Sequence, residues 1–318
     1  MLQTEPSITV LAAGKINLFL DVLRRRPDGY HDIRSILLPV SLQDRLVLTN
    51  APEGIETITD ESHLPFPDGG GVGESDGNLT TRAARRLRDA TGHSGGVRIH
   101  LEKHIPVGGG MGGGSADAAA VLVALNRLWG TGLAPADLMR IGAAVGSDVP
   151  ALVHGGAVCM EGMGDCVRPI AGAQGTNLPE WWVVLANAGV SVSTRDIYER
   201  HSRVLTSESN AYKSIVLGLE ERDLEVAARG LYNALERTVF AKYPLLEMMA
   251  QALRECGAAG ARLSGSGGTV FALARGRAHA VQVETEFRRR FGAWAWSQVV
   301  LTLPDGVMVA HGPLEARV

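Results

Sequence analysis

The feature that most constrains this sequence is a cluster of glycines followed directly by an apolar helix-forming segment. Six of the seven residues from Gly108 to Gly114 are glycine, and the next residues read SADAAAVLVALNRLW. Glycine permits sharp backbone bends and lets a ligand approach without a Cβ in the way. A helix N-terminus presents free N–H groups and a partial positive charge. The segment therefore predicts a phosphate-binding loop followed by a helix that begins near Ser115.

Other types of glycine loop fit this segment less well. A P-loop requires Lys after its glycines, and Ser115 stands there instead. The dinucleotide pattern G-x-G-x-x-G matches at Gly108, Gly110 and Gly113, but a run of glycines matches almost any pattern. The acid expected about 20 residues later is Asp137, which lies in a predicted helix. The protein-kinase motifs H-R-D and D-F-G are absent, and the bland alternative is a flexible linker.

A second glycine cluster and two lysines are further candidates for a ligand site. Ser264–Gly268 reads SGSGG between two apolar segments; alone it is typical of a turn, and together with the first loop it could close over the same ligand. The chain holds four lysines among its 31 basic residues, so each lysine stands out where arginine would be usual. Lys15 lies in a small and apolar run, where it is either a solvated strand end or part of a site. Lys103, just before the first loop, carries the same two alternatives, and Asp148 alone would be a turn or cap residue.

Composition sets the class of protein and excludes several partners. The 318 residues suggest about two domains at roughly 150 residues each. The 31 basic and 34 acidic residues give 31 − 34 = −3, so no basic excess favours nucleic acid or acidic membranes. The three cysteines form no C-x-x-C pair, which is typical of a reducing compartment. Without a signal peptide or a run of about 18 to 20 apolar residues, the expected location is the cytoplasm, with no membrane partner.

The order of predicted elements indicates an α+β fold. Apolar runs at 8–13 and 16–23 predict two strands, and Pro27-Asp28-Gly29 predicts the turn that follows. Residues 224–240 are predicted to be mainly helical. Strands and helices mix without a regular βαβ alternation. Residues 171–180, AGAQGTNLPE, are the best candidate junction, giving predicted domains at 1–175 and 176–318.

Five stretches together resemble the GHMP superfamily of small-molecule kinases, in family order and nearly end to end. They are AGKINLFLDVLRRRPDGYHDI at 13–33, IPVGGGMGGGSADAAAVLVALN at 105–126, VGSDVP at 145–150, VSTRDIY at 192–198 and LSGSGGTVFAL at 263–273. The glycine loop is similar to that of the whole superfamily. The segment RRRPDGYH resembles the branch whose members phosphorylate a cytidine diphosphate conjugate of methylerythritol in non-mevalonate isoprenoid and terpenoid synthesis.

The resemblance implies a fold, a reaction and a set of site residues. The fold would have two α+β lobes with the active site in the cleft between them, and the protein would be an ATP-dependent transferase. Asp148 would be the catalytic carboxylate beside the acceptor hydroxyl, and Lys15 its cationic partner. Nucleotide binding is expected for Pro106, Val107, Gly108, Gly109, Gly110, Met111, Gly112, Gly113, Gly114, Ser115, Asn78 and Lys103. Substrate binding is expected for Asn17, Tyr30, His31, Thr194, Tyr198, Gly265, Ser266 and Gly267.

Other parts of the interpretation are less well marked in the sequence. Mg²⁺ should accompany ATP, with Ser115 as its candidate ligand by analogy with other phosphate loops. Without the resemblance, Tyr30 and Tyr198 would be ordinary aromatics and His31 a hydrogen-bonded turn residue. The alternative functions are another GHMP kinase, of the mevalonate or homoserine type, and a non-catalytic regulator on the same fold. The presence of both Lys15 and Asp148 disfavours the regulator, and the sequence is silent on oligomeric state.

Overall fold

A computed structural model describes residues 5–66, 77–172, 178–201 and 209–309. A long antiparallel hairpin, β1 (Ser7–Arg25) and β2 (His31–Ala51), forms the centre of its larger sheet. The hairpin turns at Pro27-Asp28-Gly29, as the sequence predicts, and Gly29 takes a φ of +88° that suits glycine. The other strands of this sheet are β3 (Ile55–Asp60), β4 (Gly96–Glu102), β5 (Val158–Gly162), β6 (Cys166–Pro169), β8 (Tyr232–Asn233) and β12 (Val307–Val309).

The second sheet has four antiparallel strands in the order β11-β7-β10-β9. They are β7 (Trp182–Asn187), β9 (Gly260–Leu263), β10 (Thr269–Ala274) and β11 (Trp296–Leu301). Helices accompany both sheets, which makes the fold α+β, as expected. They are α1 (Leu79–Thr91), α2 (Gly113–Leu128), α3 (Pro135–Ala143), α4 (Val149–His154), α5 (Thr194–Arg200), α6 (Ser209–Glu221), α7 (Leu224–Arg229), α8 (Glu236–Lys242), α9 (Pro244–Glu255) and α10 (Arg277–Phe291).

Three apolar clusters form the core. The first lies between the larger sheet and helices α1 to α4, and the second between the smaller sheet and helices α8 to α10. The third contains residues of both sheets, such as Ile16 and Ile36 from the larger and Val183 and Phe271 from the smaller. The two halves of the chain therefore share one continuous apolar interior.

Two elements differ from the sequence prediction. The runs at 8–13 and 16–23 form one 19-residue strand, because a register shift between Ala13 and Lys15 lets the strand bend and continue. Residues 224–240 are mainly helical, as predicted, but they form two helices, α7 and α8, and not one. Helix α7 ends at Arg229, and a Cβ on the next residue, Gly230, would come within 2.5 Å of the Ala211 carbonyl oxygen. The chain then forms β8, which pairs with β1, before α8 begins.

The strand order also bears on the division into two domains. The predicted junction at 171–180 lies partly outside the described residues. Beyond it, β8 and β12 return to β1 in the larger sheet, with Val309 opposite Val10. A boundary at 175/176 therefore stays a prediction, because two later strands complete the first sheet.

Candidate active site

Lys15 follows the register shift in β1 and lies inside the protein. Lys15 is 4% exposed, and its backbone N–H donates to the Met111 carbonyl 2.9 Å away. Its ammonium donates to Asn17 Oδ1 at 2.6 Å and to the Gly110 carbonyl at 2.8 Å. Burial lowers the pKa of Lys15 below its ordinary value, and the nearby Asp148 charge partly offsets this. The site thus holds a compact ammonium under the first glycine loop.

Asp148 supplies the facing carboxylate. It precedes α4, and its Oδ2 lies 3.6 Å from Lys15 Nζ. The Asp148 side chain keeps 27% of its surface exposed, whereas that of Lys15 keeps 5%. A reactant can therefore approach the carboxylate while the ammonium stays covered behind it. Asn17, on the same side, donates to Ser35 Oγ at 2.8 Å, which fixes its amide with the oxygen toward Lys15.

The two glycine clusters pack directly against each other. The Thr269 N–H donates to the Gly109 carbonyl at 2.9 Å, and the Ser264 hydroxyl donates to the Gly110 carbonyl at 3.0 Å. Gly110 takes a φ of +72°, and a Cβ there would overlap the Ser264 carbonyl oxygen. Glycine is needed at Gly110 both for its backbone conformation and for this approach. The second cluster does lie over the first, as the sequence suggested.

The first loop leads into an uncapped helix. Helix α2 begins at Gly113, two residues before the predicted start, and its N-cap Gly112 has a φ of +67° with no side-chain hydrogen bond. Its first amides therefore have no capping side chain and are free to bind an anion. A Cβ on Gly112 would lie 3.0 Å from Lys15 Cε and 3.4 Å from Asp148 Oδ2. The anion-binding end of the helix thus adjoins the Lys15–Asp148 pair.

Lys103 lies near this loop in an arrangement that the sequence did not reveal. Its ammonium is 2% exposed and forms ion pairs with Asp44 and Asp117, the latter at 2.7 Å. Asp44 Oδ1 also accepts the backbone N–H groups of His104 and Ile105. The three charged side chains thus join the start of the loop to helix α2 from the inside. Two buried carboxylates occupy the Lys103 ammonium, so direct contact between Lys103 and ATP stays a prediction that this geometry disfavours.

Aromatic side chains line the other end of the site. The His31 and Tyr198 rings lie 5.3 Å apart at 42°. Burial and the Asp148 charge raise the pKa of Tyr198, so this side chain stays a neutral phenol. Partial burial and the Arg25 charge lower the pKa of His31, which favours the neutral ring with one donor and one acceptor nitrogen. The Thr194 and Ser266 hydroxyls are bonded to each other at 2.7 Å.

Some of the predicted site residues lie elsewhere or face another way. Tyr30 is 66% exposed at the tip of the hairpin. The Asn78 side-chain oxygen accepts the Thr80 N–H and so caps helix α1. The Met111 side chain is buried in the third core cluster, which leaves its backbone facing the site.

Several supporting residues were missed by the sequence analysis. The Asn187 amide donates to the Thr269 hydroxyl, and both groups lie beside Gly109 of the first loop. Asp44 and Asp117 pair with Lys103. Asp117 could have been suspected, because it is a lone acid in an otherwise apolar helix. Asn233, which bonds the backbone of the second glycine cluster, carried no signal in the sequence.

Comparison with known families defines the class of protein. A family described as GHMP kinases N terminal domain matches residues 78–156, which include the first glycine loop and Asp148. A second, described as GHMP kinases C terminal, matches residues 215–293, which include the second glycine cluster. A homoserine kinase structure from Cytophaga hutchinsonii superposes with a TM-score of 0.75 at 20% identity, over 98% of this chain and 99% of that one. The fold and both glycine clusters are thus those of a GHMP kinase.

More similar relatives narrow this class to one family. A 4-diphosphocytidyl-2-C-methyl-D-erythritol kinase from Synechococcus sp. (strain JA-3-3Ab) is 36% identical over 97% of this chain and 98% of its own length. The enzyme of that name from Pelotomaculum thermopropionicum is 39% identical over 89% and 94%. A crystal structure of 4-(cytidine 5'-diphospho)-2C-methyl-D-erythritol kinase shares 32% identity and a TM-score of 0.71 over 93% of this chain and 99% of that one. The chain belongs to the 4-diphosphocytidyl-2-C-methyl-D-erythritol kinase family.

Proposed function

We propose that this chain transfers the γ-phosphoryl group of ATP to the 2-hydroxyl of 4-diphosphocytidyl-2-C-methyl-D-erythritol, giving the 2-phosphate and ADP in isoprenoid precursor synthesis. The observation that carries the proposal is the Lys15–Asp148 pair, with Nζ 3.6 Å from Oδ2 beside the glycine loop. Phosphoryl transfer needs positioning and charge stabilisation more than covalent catalysis, and this pair offers both. The identity of the acceptor is supported by the names of the family members.

The phosphates of ATP would lie on the loop Gly108–Gly114 and the first turn of α2. The uncapped amides of this helix and its partial positive charge suit a polyphosphate. Pro106, Val107 and the Met111 backbone complete the loop. Asn78 and Lys103 remain proposed nucleotide neighbours, with Lys103 acting through the loop that its ion pairs support.

The chemical step forms a bond between the 2-hydroxyl oxygen and the γ-phosphorus while the bond from that phosphorus to ADP breaks. Asp148 orients the hydroxyl and accepts its proton, which then passes to solvent. Lys15 places its positive charge beside the transferring group and so lowers the cost of charge that develops there. Asn17 holds the ammonium in place through its 2.6 Å hydrogen bond and lies near the same hydroxyl.

The cytidine end of the substrate would bind at the hairpin turn. Neutral His31 can pair with the polar edge of cytosine, and Tyr30 and Tyr198 offer faces for stacking. Tyr30 would have to fold over the base from its exposed position. Thr194, Ser266 and the neighbouring Gly265 and Gly267 lie between this end and Lys15 and would contact the intervening part of the substrate.

Mg²⁺ would accompany ATP, where it neutralises phosphate charge. Among the described residues, no cluster of three or more His, Cys, Asp or Glu side chains could hold a metal by itself. The chain therefore fits an ion held mainly by phosphates. Ser115 is its proposed ligand, because it lies in the first turn of α2 with its hydroxyl facing Gly146, two residues from Asp148.

We also propose a cytoplasmic location, which the free thiols of all three cysteines support. In the described parts of the chain, no helix has the length and apolar character to cross a membrane.

The decisive experiment is direct phosphorylation. Purified protein is mixed with ATP, Mg²⁺ and 4-diphosphocytidyl-2-C-methyl-D-erythritol, ADP release is followed, and the product is examined by phosphorus NMR. A new phosphomonoester beside an intact diphosphate is the expected result. Transfer only to mevalonate or homoserine would keep the superfamily and remove this acceptor, and ATP binding without any transfer would point to a regulator.

A further inference from the structure

The second glycine cluster, Ser264–Gly268, lies against the catalytic lysine. Gly265 has a φ of +56°, and a Cβ there would lie 3.0 Å from Lys15 Nζ and 3.3 Å from Asn17 Oδ1. Backbone at this point therefore limits where the ammonium can go. A run of glycines has little intrinsic preference for one conformation, so other residues must hold it in this position.

Asn233 is the side chain that holds it. The Asn233 amide nitrogen donates to the carbonyls of Leu263 and Gly265, each at 2.8 Å, and so bridges the start of the cluster. Its oxygen accepts the Leu235 N–H at 2.9 Å, which fixes the orientation of the amide. Asn233 is 4% exposed, so water offers little replacement for these bonds. Glu236, one turn further on, accepts the Leu263 N–H at 2.8 Å and supports the same backbone.

Asn233 is also tied to the strand that carries Lys15. It belongs to β8, which pairs in parallel with β1, so that Asn233 stands opposite Leu20. The next residue, Ala234, donates its N–H to the Leu20 carbonyl at 2.8 Å. Asn233 is therefore linked to Lys15 in two ways. Strand pairing joins it to β1, which carries Lys15, and its amide holds the Gly265 backbone that lies against the Lys15 ammonium.

We propose that Asn233 is a positioning residue for phosphoryl transfer: its amide fixes the Gly265 backbone against Lys15 and thereby keeps the ammonium beside Asp148. This inference rests on the proposed function for its catalytic readout. Asn233→Asp keeps the shape and the accepting oxygen, but it replaces the donor with an oxygen that faces two carbonyl oxygens. The cluster then moves away from Lys15. Small displacements of catalytic groups cost up to about 100-fold in rate.

The chain offers a matched control in Asn126. Its amide nitrogen donates to the Leu133 carbonyl at 3.0 Å, and its oxygen accepts the Leu133 N–H at 2.9 Å, so it too staples a loop. That loop follows the C-terminal end of α2, and none of these bonds involves either glycine cluster. Asn126→Asp therefore makes the same chemical change outside the site.

The test compares the two variants in kinetics and in thermal unfolding. We expect Asn233→Asp to lower kcat by about 10- to 100-fold with the KM for ATP changed less than about threefold, because the Thr269 N–H, outside the displaced cluster, still holds the Gly109 carbonyl of the first loop. Both variants should lower the melting temperature, because each loses hydrogen bonds that hold a loop. Asn126→Asp should nevertheless leave kcat within about threefold of the wild-type value. An unchanged kcat in Asn233→Asp, or equal losses of kcat in both variants, would overturn the proposal. If Asn233→Asp does not fold, Asn233→Ser, which keeps one short donor, is measured by the same criteria.

A second readout separates this proposal from the proposed function. Hydrogen–deuterium exchange of residues 263–268, measured without substrate, should be faster in Asn233→Asp and unchanged in Asn126→Asp. If the wild-type chain does not phosphorylate the cytidine compound, the proposed acceptor fails, while the exchange data still decide whether Asn233 holds the cluster. Equal exchange in the wild type and in Asn233→Asp would reject the positioning role whatever the substrate.

Discussion

The Lys15 and Asp148 side chains differ in their exposure to solvent, and each suits a different part of the proposed reaction. The ammonium is enclosed by protein and held by Asn17 and the Gly110 carbonyl, while the carboxylate keeps an open side. An enclosed cation acts strongly on nearby charge because little water screens it. An open carboxylate can meet a hydroxyl that arrives with the substrate. The two predictions at this scale concern these two side chains.

Asp148→Asn should abolish most turnover while ATP binding persists. The carboxamide keeps the shape of Asp148 but is a poor proton acceptor, and general-base assistance contributes about 10²- to 10⁴-fold. Initial rates give kcat, and calorimetry gives the dissociation constant for ATP. Asp137→Asn is a suitable control, because Asp137 forms an exposed ion pair with Arg140 on the outer face of helix α3. Near-normal turnover in Asp148→Asn would remove its catalytic role.

The alkaline limb of activity should lie below the ordinary pKa of lysine. Burial lowers the pKa of Lys15 from 10.5, and the Asp148 charge only partly offsets this, so the ammonium loses its proton at a lower pH than an exposed lysine would. The pH profile of kcat/KM reports groups of the free enzyme and is the measurement to make. Lys15→Arg should lack this limb at a lower overall rate, since guanidinium stays charged. A wild-type profile that stays flat to pH 10.5 would contradict the assignment.

At the scale of elements, the site is built from backbone whose conformation strongly favours glycine. Gly110 and Gly112 have positive φ values at the point where the first loop enters α2. The second cluster then lies so close that the Gly110 carbonyl accepts from the Ser264 hydroxyl, while the Gly109 carbonyl accepts from the neighbouring Thr269 N–H. The Asn233 side chain holds the second cluster in place, and the Thr269 backbone N–H holds the first loop.

Gly110→Ala should therefore lower both the free energy of unfolding and the turnover far more than Gly132→Ala does. Both glycines have a positive φ, +72° and +67°, so both variants strain the backbone by about 1 kcal/mol. A Cβ on Gly110 also overlaps the Ser264 carbonyl, whereas nothing lies within 4 Å of one on Gly132. Denaturant unfolding should show the larger loss of stability in Gly110→Ala. Turnover should be lost in Gly110→Ala alone. Equal effects in the two variants would mean that contact between the clusters is unimportant.

In the buried cluster of Lys103, Asp44 and Asp117, removing the cation should lower the free energy of unfolding more than removing one carboxylate does. Burial raises the pKa of Asp117 well above its ordinary value, and the attraction of Lys103 opposes this shift. Asp117→Asn leaves Lys103 paired with Asp44 and keeps an oxygen that can accept from the ammonium, so it should lower the free energy of unfolding by only about 1 kcal/mol. Lys103→Met leaves Asp44 and Asp117 without a cation and should cost about 3 to 5 kcal/mol. Urea unfolding at neutral pH measures both, and a larger loss for Asp117→Asn than for Lys103→Met would contradict this expectation.

At the scale of the whole molecule, the two halves depend on each other. The third core cluster joins residues of both sheets, and β8 and β12 lie in the larger sheet although they come late in the sequence. Shared apolar burial and shared strands make separate unfolding of the halves costly.

The intact chain should therefore unfold in one cooperative transition, and a fragment of residues 1–175 should not fold on its own. In that fragment, Ile16 and Ile36 lose their apolar partners, and β1 loses its pairing with β8 and β12. Calorimetry should give a ratio of calorimetric to van't Hoff enthalpy near one for the intact chain. A sharp transition and near-ultraviolet dichroism in the fragment would instead favour an independent domain.

Local patterns and the family resemblance were sufficient for much of the fold and for naming Lys15 and Asp148, whose catalytic roles stay a prediction. The turn at Pro27-Asp28-Gly29, the helix after the glycine loop and the candidates Lys15 and Asp148 all followed from neighbouring residues or from the family resemblance. The sequence could not show that Lys103 meets Asp44, because 59 positions separate them. Nor could it show that Gly230 packs against the Ala211 carbonyl of another helix, because 230 − 211 = 19 positions separate the two residues. Contacts between distant segments decided each of these cases.

The pairing of Val10 with Val309 has a consequence for synthesis of the chain on the ribosome. These partners lie 309 − 10 = 299 positions apart, and translation adds about 5 to 20 residues per second. The strand that carries Lys15 therefore waits roughly 15 to 60 seconds for this neighbour. Throughout that interval the edge of β1 that pairs with β12 lacks this partner. On a nascent molecule, that unpaired edge is a surface that a chaperone can bind.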